Sequence, residues 1–112
     1  MVEQKWKVKF FQTRRGNFPV KDFIEKLEKK TYARAFRSIE LLRDFGPFLR
    51  MPYSKKIAPK LYQLRIKGAE SIRIFYTQIN KTYYLLHAFK KKSQKTPKRE
   101  IKTALDRIKE LA

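Results

Sequence analysis

The 112-residue chain has no cysteine, one histidine, one tryptophan and three glycines. The missing cysteine excludes disulfides, thiolate catalysis and Cys-ligated zinc. One histidine and ten acidic residues leave little from which to build a dedicated metal site, so no metal and no cofactor is expected. No apolar run approaches the roughly 18 residues of a membrane-spanning helix, and the opening MVEQKWKVKFF lacks the apolar stretch of a signal peptide. A soluble, cytoplasmic protein without a membrane partner is expected. Negative charge is also scarce. Ten Asp and Glu stand against 29 Lys and Arg, for a net charge of +19 and a pI near 10.4. The excess is +9 over residues 1–56 and +10 over 57–112, so no single tail accounts for it. Such an imbalance favours nucleic acid or another acidic partner, although a lysine-rich proteome would produce it too.

What is present is globular. A hydrophobic fraction of 42%, with 14% aromatic residues, argues against disorder. The length fits one domain, 1–112, able to bury roughly two-thirds of its unfolded surface. Lys5–Phe11 alternates as a first strand, with Trp6, Val8 and Phe10 inward and Lys5, Lys7 and Lys9 outward. TRRGN at 13–17 has turn chemistry, and Pro19 suits the first turn of a helix carrying Val20, Phe23, Ile24 and Leu27 on one face. After a polar break at 28–30, a second helix from about Thr31 presents Tyr32, Ala35, Phe36, Ile39 and Leu42. Gly46 and Pro47 stop it. Residues 46–59 read as a long loop, a length often tied to function.

The stretch 61–92 organises the rest. Three runs alternate: Tyr62, Leu64 and Ile66; Ile72, Ile74 and Tyr76; Tyr84, Leu86 and Ala88. Turns fall near 67–70 and at 80–81. Paired as an antiparallel meander, these runs bury one face against helices, with Leu64, Ile74 and Leu86 beneath them. Gln63, Arg65, Arg73 and His87 then share the uncovered face, and Lys90, Lys91 and Lys92 leave its edge. Arginine forks hydrogen bonds onto phosphate oxygens, and clustered lysines depress one another's pKa. Together they could cleave RNA without a metal: one group takes the 2′-hydroxyl proton, another steadies the phosphorane, a third protonates the leaving 5′-oxygen. A solvated face that only binds phosphate fits the same pattern. His87 reads equally as a general base or as a packing residue. Phe75 and Phe89 are better placed for packing under the final helix than for stacking a base. Six cations and no acid occupy 90–99. Pro97 then opens a last helix striped by Ile101, Ala104, Leu105, Ile108 and Leu111.

LYQLRIKGAESIRIFY followed by LLHAFKKKSQKTPKREI resembles the RelE/ParE toxin superfamily, and within it the phage-derived, HigB-like branch. The resemblance covers most of the chain, from PVKDFIEKL to the last helix. Its specific part is residues 61–101, where L-Y-x-L-R, R-I-F-Y and H-x-F-x-K-K-x-x-K-T-P occur in one order. It implies an α+β fold: a mostly antiparallel sheet of about four strands, packed on an N-terminal helical hairpin, with a C-terminal helix. It also implies a type II toxin that cleaves messenger RNA, typically on the ribosome and without a metal, and that a cognate antitoxin, a helix-turn-helix protein of HigA-like type, neutralises. By position, the family's catalytic basic residues fall on Arg65, Arg73 and Lys91, with His87 or a lysine of the 90–95 cluster as the substitute acid or base. Gln63 stands where the best-known pattern has lysine, and the family's C-terminal tyrosine is missing. Lys90 and Lys92 are register alternatives to Lys91, and Lys55, Lys56, Lys95 and Lys98 are expected to contact RNA phosphates along with Gln63. The resemblance leaves two other readings open, a ParE-like inhibitor of DNA gyrase and a non-catalytic RNA-binding module.

Overall fold

The computed structural model describes residues 6–111, so the predicted strand start at Lys5 lies outside the described residues. Within them the chain forms five strands and three helices: β1 Lys7–Phe10, α1 Pro19–Glu25, α2 Lys29–Phe45, β2 Ser54–Ala58, β3 Leu61–Ile66, β4 Ile72–Ile79, β5 Thr82–Lys90 and α3 Lys98–Leu111. The sheet order is β1-β5-β4-β3-β2, antiparallel except where β1 runs parallel to β5. The α+β class holds, and the expected four strands become five. The added strand, β2, lies inside the predicted 46–59 loop. Its sequence, SKKIA, exposes Lys55 and Lys56, as edge strands often do, so it carries no apolar alternation. A side-chain bond between Ser54 and Tyr76 pins that edge across β3.

Both faces of the sheet carry a core. On one, α1 and α2 cover Leu64, Ile66, Ile74, Leu85 and Ala88. On the other, α3 covers Leu61, Phe75, Leu86 and Phe89 through Ala104 and its flanking Ile101, Leu105 and Ile108. The face expected to be open is therefore partly roofed. Leu64 and Ile74 lie under the hairpin as expected, but Leu86 is buried under α3. The reason is a bulge: Phe75 pairs with His87 and Tyr76 with Leu85, leaving Leu86 unpaired. One extra residue inverts the faces of everything on its N-terminal side of the strand.

The buried stripe of α2 also differs from expectation. Thr31, Ala35, Ser38 and Leu42 turn inward, while Tyr32 and Phe36 are exposed and stack on each other with ring centroids 6.4 Å apart. Small residues at 31, 35 and 38 allow the helix to approach the sheet closely. Gly46 ends the helix at φ 51, and a Cβ there would sit 2.5 Å from the Trp6 ring, so no other residue fits without a shift. Asn80 makes the tight β4–β5 turn at φ 56, a conformation asparagine tolerates. Among the described residues, no helix is long and apolar enough to cross a membrane.

Candidate functional site

The β-ladders bring the predicted cations together on the α3 side of the sheet. Arg65 on β3 pairs directly with Arg73 on β4, and Arg73 pairs with Phe89 on β5. One row along, Lys55, Gln63, Phe75 and His87 line up across β2, β3, β4 and β5. Directly paired residues project to the same side, so Lys55 joins Gln63, Arg65 and Arg73 on one face. Lys56 does not. It pairs with Tyr62, whose ring stacks on Tyr76 against the hairpin side, so it projects away from the cluster.

α3 packs on Phe75 and Phe89 of this face, in a cluster that includes neither arginine. Arg73 is buried, 6% exposed, contrary to the expected open placement. Its Nη1 donates to Ser71 Oγ at 2.9 Å and to the Ile72 carbonyl at 3.1 Å, which fixes the fork. Its Nε is buried without a partner, as is Oε1 of Gln63. Burial, then the nearby Arg65, lowers the Arg73 pKa from its ordinary value, yet a guanidinium stays charged in proteins. Arg65 is half-buried, and its Nη1 reaches only the weak acceptor Met51 Sδ, at 3.5 Å.

Just past β5, Lys91 is held by its backbone N–H on the Ser71 carbonyl at 2.8 Å. Its ammonium is shifted down from the ordinary lysine value by burial first, then by Arg73, Arg65 and Lys55. Four cations thus converge from four strands or their ends. Beside them lies a recess of about 440 Å³ lined by Ser71, Arg73, Lys91, Lys92, Ser93 and Gln94, with three cations and no carboxylate. Lys90 turns elsewhere, to Glu70 Oε1 at 3.0 Å. Lys92 and Lys95 are exposed on the loop that leads to α3, and Lys98 is exposed at its first residue.

His87 sits on the same face but is tied to α3. Arg107 Nη1 donates to His87 Nδ1 at 3.2 Å and to the Leu86 carbonyl at 2.8 Å. With Nδ1 accepting, Nε2–H donates to Glu100 Oε1 at 2.9 Å. Both ring nitrogens are thereby engaged, and the ring stacks on Phe89. Sequence reading missed Ser71, Glu100 and Arg107. The last two were within reach, since they lie seven residues apart and so on the same side of α3 as Ala104.

Residues 22–109 match the model of a family described as phage derived protein Gp49-like (DUF891). No curated protein sequence matches the chain.

Proposed function

We propose that this chain, which belongs to the Gp49-like phage-derived family and so to the RelE-like toxins of toxin–antitoxin systems, is a messenger RNA endonuclease that uses only its own side chains. Toxins of this family are generally ribonucleases, and membership implies a cognate antitoxin. The observation that carries the reading is the convergence of Arg65, Arg73, Lys91 and Lys55 beside a recess free of carboxylates. A duplex of like charges held at the edge of a core is costly unless an anion relieves it.

The chemistry is attack of an RNA 2′-hydroxyl on the adjacent phosphate, with loss of the 5′-oxygen and formation of a 2′,3′-cyclic phosphate. Arg73, with its fork fixed through Nη1 by Ser71 and the Ile72 carbonyl and its Nε unpartnered, suits the charge that builds on the phosphorane. Arg65 holds the phosphate from the neighbouring strand. Lys91, with its proton loosened by burial and neighbouring cations, suits proton transfer at the 2′-oxygen. Lys55, Lys92, Lys95 and Lys98 bind the strand around the cleavage point; Gln63, expected on an open face, is buried beneath them, and Lys90 is engaged by Glu70. Lys56, expected among these contacts, projects to the far side of the sheet and is left out of them. His87, with both nitrogens engaged, is assigned to hold α3 rather than to move a proton. Cleavage occurs on translating ribosomes, and a HigA-like helix-turn-helix protein is the antitoxin.

Primer extension on a translated message after brief induction tests this. Discrete new 5′ ends at codon boundaries are expected, and Arg73→Ala should erase them. Growth arrest without new ends, together with inhibited DNA supercoiling, would replace this reading with gyrase inhibition.

A further inference from the structure

On the hairpin side of β3, away from the catalytic recess, a second concavity runs along α2. It comprises a cavity of about 390 Å³ bounded by α2, β3 and the Pro52–Tyr53 segment, and one of about 420 Å³ towards the end of α2. Leu41 and Tyr53 line both, so the two form one trough. Ala33, Arg37, Leu41 and Phe45 recur every four residues along its α2 wall. That is one ridge of a helix, about 18 Å long at 1.5 Å per residue.

The floor is apolar, with Ile66, Pro52 and Tyr53 at one end and Phe48, Leu49 and Met51 at the other. Phe45, Phe48, Met51 and Tyr53 are large hydrophobic side chains left 49–70% exposed, which a soluble monomer rarely gathers in one place. The rim is cationic. Arg34, Arg37, Arg50, Arg65 and Lys67 stand around it, and no acidic residue lines either cavity. An apolar floor of helical length inside a cationic rim matches a short amphipathic helix that carries carboxylates along its flanks. An RNA strand would use the rim but would leave the floor unfilled.

Arg65 joins this trough to the cationic cluster. It lines the first cavity and also pairs with Arg73, and its Nη1 rests on a thioether, which a carboxylate would readily replace.

We propose that the trough along α2 is the docking site for an acidic amphipathic helix of the antitoxin, which takes hold of Arg65 and so draws a phosphate ligand out of the catalytic cluster. The proposal rests on the toxin reading above. It makes inhibition a matter of capturing one arginine from behind the sheet, with no need for the partner to fill the recess beside Arg73.

The test uses the toxin and the antitoxin encoded in its own operon, purified together, separated and titrated against each other. Phe48→Ser removes exposed apolar floor, and Arg37→Glu reverses the rim. Both residues are exposed and outside the cleavage machinery, so folding and uninhibited cleavage should stay at wild-type levels. Antitoxin affinity should fall at least 100-fold for each variant, and antitoxin should fail to silence them. Wild-type affinity in both variants would overturn the trough while leaving the toxin reading intact. So would loss of ribosome affinity with antitoxin binding unchanged, which would make the trough an RNA surface. Conversion of a wild-type dimer to monomer, with antitoxin binding unchanged, would make it a self-association face. A wild-type toxin that binds no antitoxin at all would overturn both readings.

Discussion

Arg65 and Arg73 occupy directly paired positions on neighbouring antiparallel strands, so two arginines project from one face of the sheet side by side. Like charges at such positions repel, and here one of them is also largely withdrawn from water. The sheet keeps this arrangement although an apolar pair would stabilise it more. An anion bound between them would offset that cost.

Oxyanions should therefore stabilise the folded protein. Phosphate at tenfold its dissociation constant would add about 1.4 kcal/mol, which for a domain of this size raises the melting temperature by roughly 5–10 °C. Differential scanning fluorimetry across a phosphate series, against chloride of equal ionic strength, measures this. In Arg65→Ala, which removes the phosphate holder and one of the two paired charges, the shift should largely disappear, while the unliganded melting temperature should stay the same or rise. A phosphate response undiminished in that variant would place the anion elsewhere on this basic surface.

The lysine beside this pair should report its neighbours through pH. Lys91 is lowered from the ordinary lysine value by burial, Arg73, Arg65 and Lys55. If its neutral form accepts the 2′-hydroxyl proton, single-turnover cleavage rises with pH through the lowered pKa and then levels. Lys55→Gln removes one repelling charge, so the Lys91 pKa rises and the limb of the profile moves to higher pH. The linkage has a matching sign. Below its folded pKa, charged Lys91 costs the fold stability, and that cost is relieved as pH climbs from the folded value towards 10.5. A profile that does not move in Lys55→Gln would remove Lys91 from the proton-transfer step.

Which parts of this were readable beforehand depends on whether neighbours or distant elements decide them. The period-2 pattern placed Arg65 and Arg73 on the same side of the sheet, because alternation is local to each strand. It could not reveal the bulge at Leu86. Leu85 and Leu86 are both apolar, and each face has its own core to receive one of them. β2 was invisible for the opposite reason, since a short, charged edge strand has no buried face to mark it. Without β2, Lys55 looked like a diffuse phosphate contact, whereas the ladder sets it beside Gln63. On α2, Tyr32 and Phe36 attracted the reading inward by their hydrophobicity, yet the close-packed side needed the small Thr31, Ala35 and Ser38.

The contacts of His87 separate docking from catalysis. Arg107→Ala leaves the Leu86 carbonyl and His87 Nδ1 without their donor, an expected loss of about 1–3 kcal/mol. His87→Ala should cost a similar amount. Urea unfolding would register both, and partial proteolysis should release α3 first. At temperatures where the variants remain folded, cleavage per molecule should change less than about threefold, small beside the tenfold or more expected for a missing proton donor or acceptor. A folded His87→Ala variant with cleavage reduced 100-fold would return the histidine to the chemistry.

Binding and chemistry separate at Arg73 and Lys98. Lys98 is exposed at the start of α3, so an RNA backbone bound there would lie at a distance that changes little as the reaction proceeds. Its removal should weaken ribosome or RNA affinity modestly and lower the salt slope of binding by about 1. Arg73 is buried beside the recess, with its fork fixed by Ser71 and its Nε unpartnered. A donor held in that way gains most when charge accumulates on the phosphorane, and gains little when the ground-state phosphate first arrives. Arg73→Ala should therefore retain affinity within a few-fold and slow single-turnover cleavage by roughly 100-fold or more, about 3 kcal/mol of transition-state stabilisation. The two variants are to be compared on one message, with affinity and single-turnover rate measured in the same buffer. If both lose affinity alike and neither loses rate, Arg73 is one more tether and the bond is broken by other groups. If Arg73→Ala alone loses rate, the buried arginine is the group that the transition state requires.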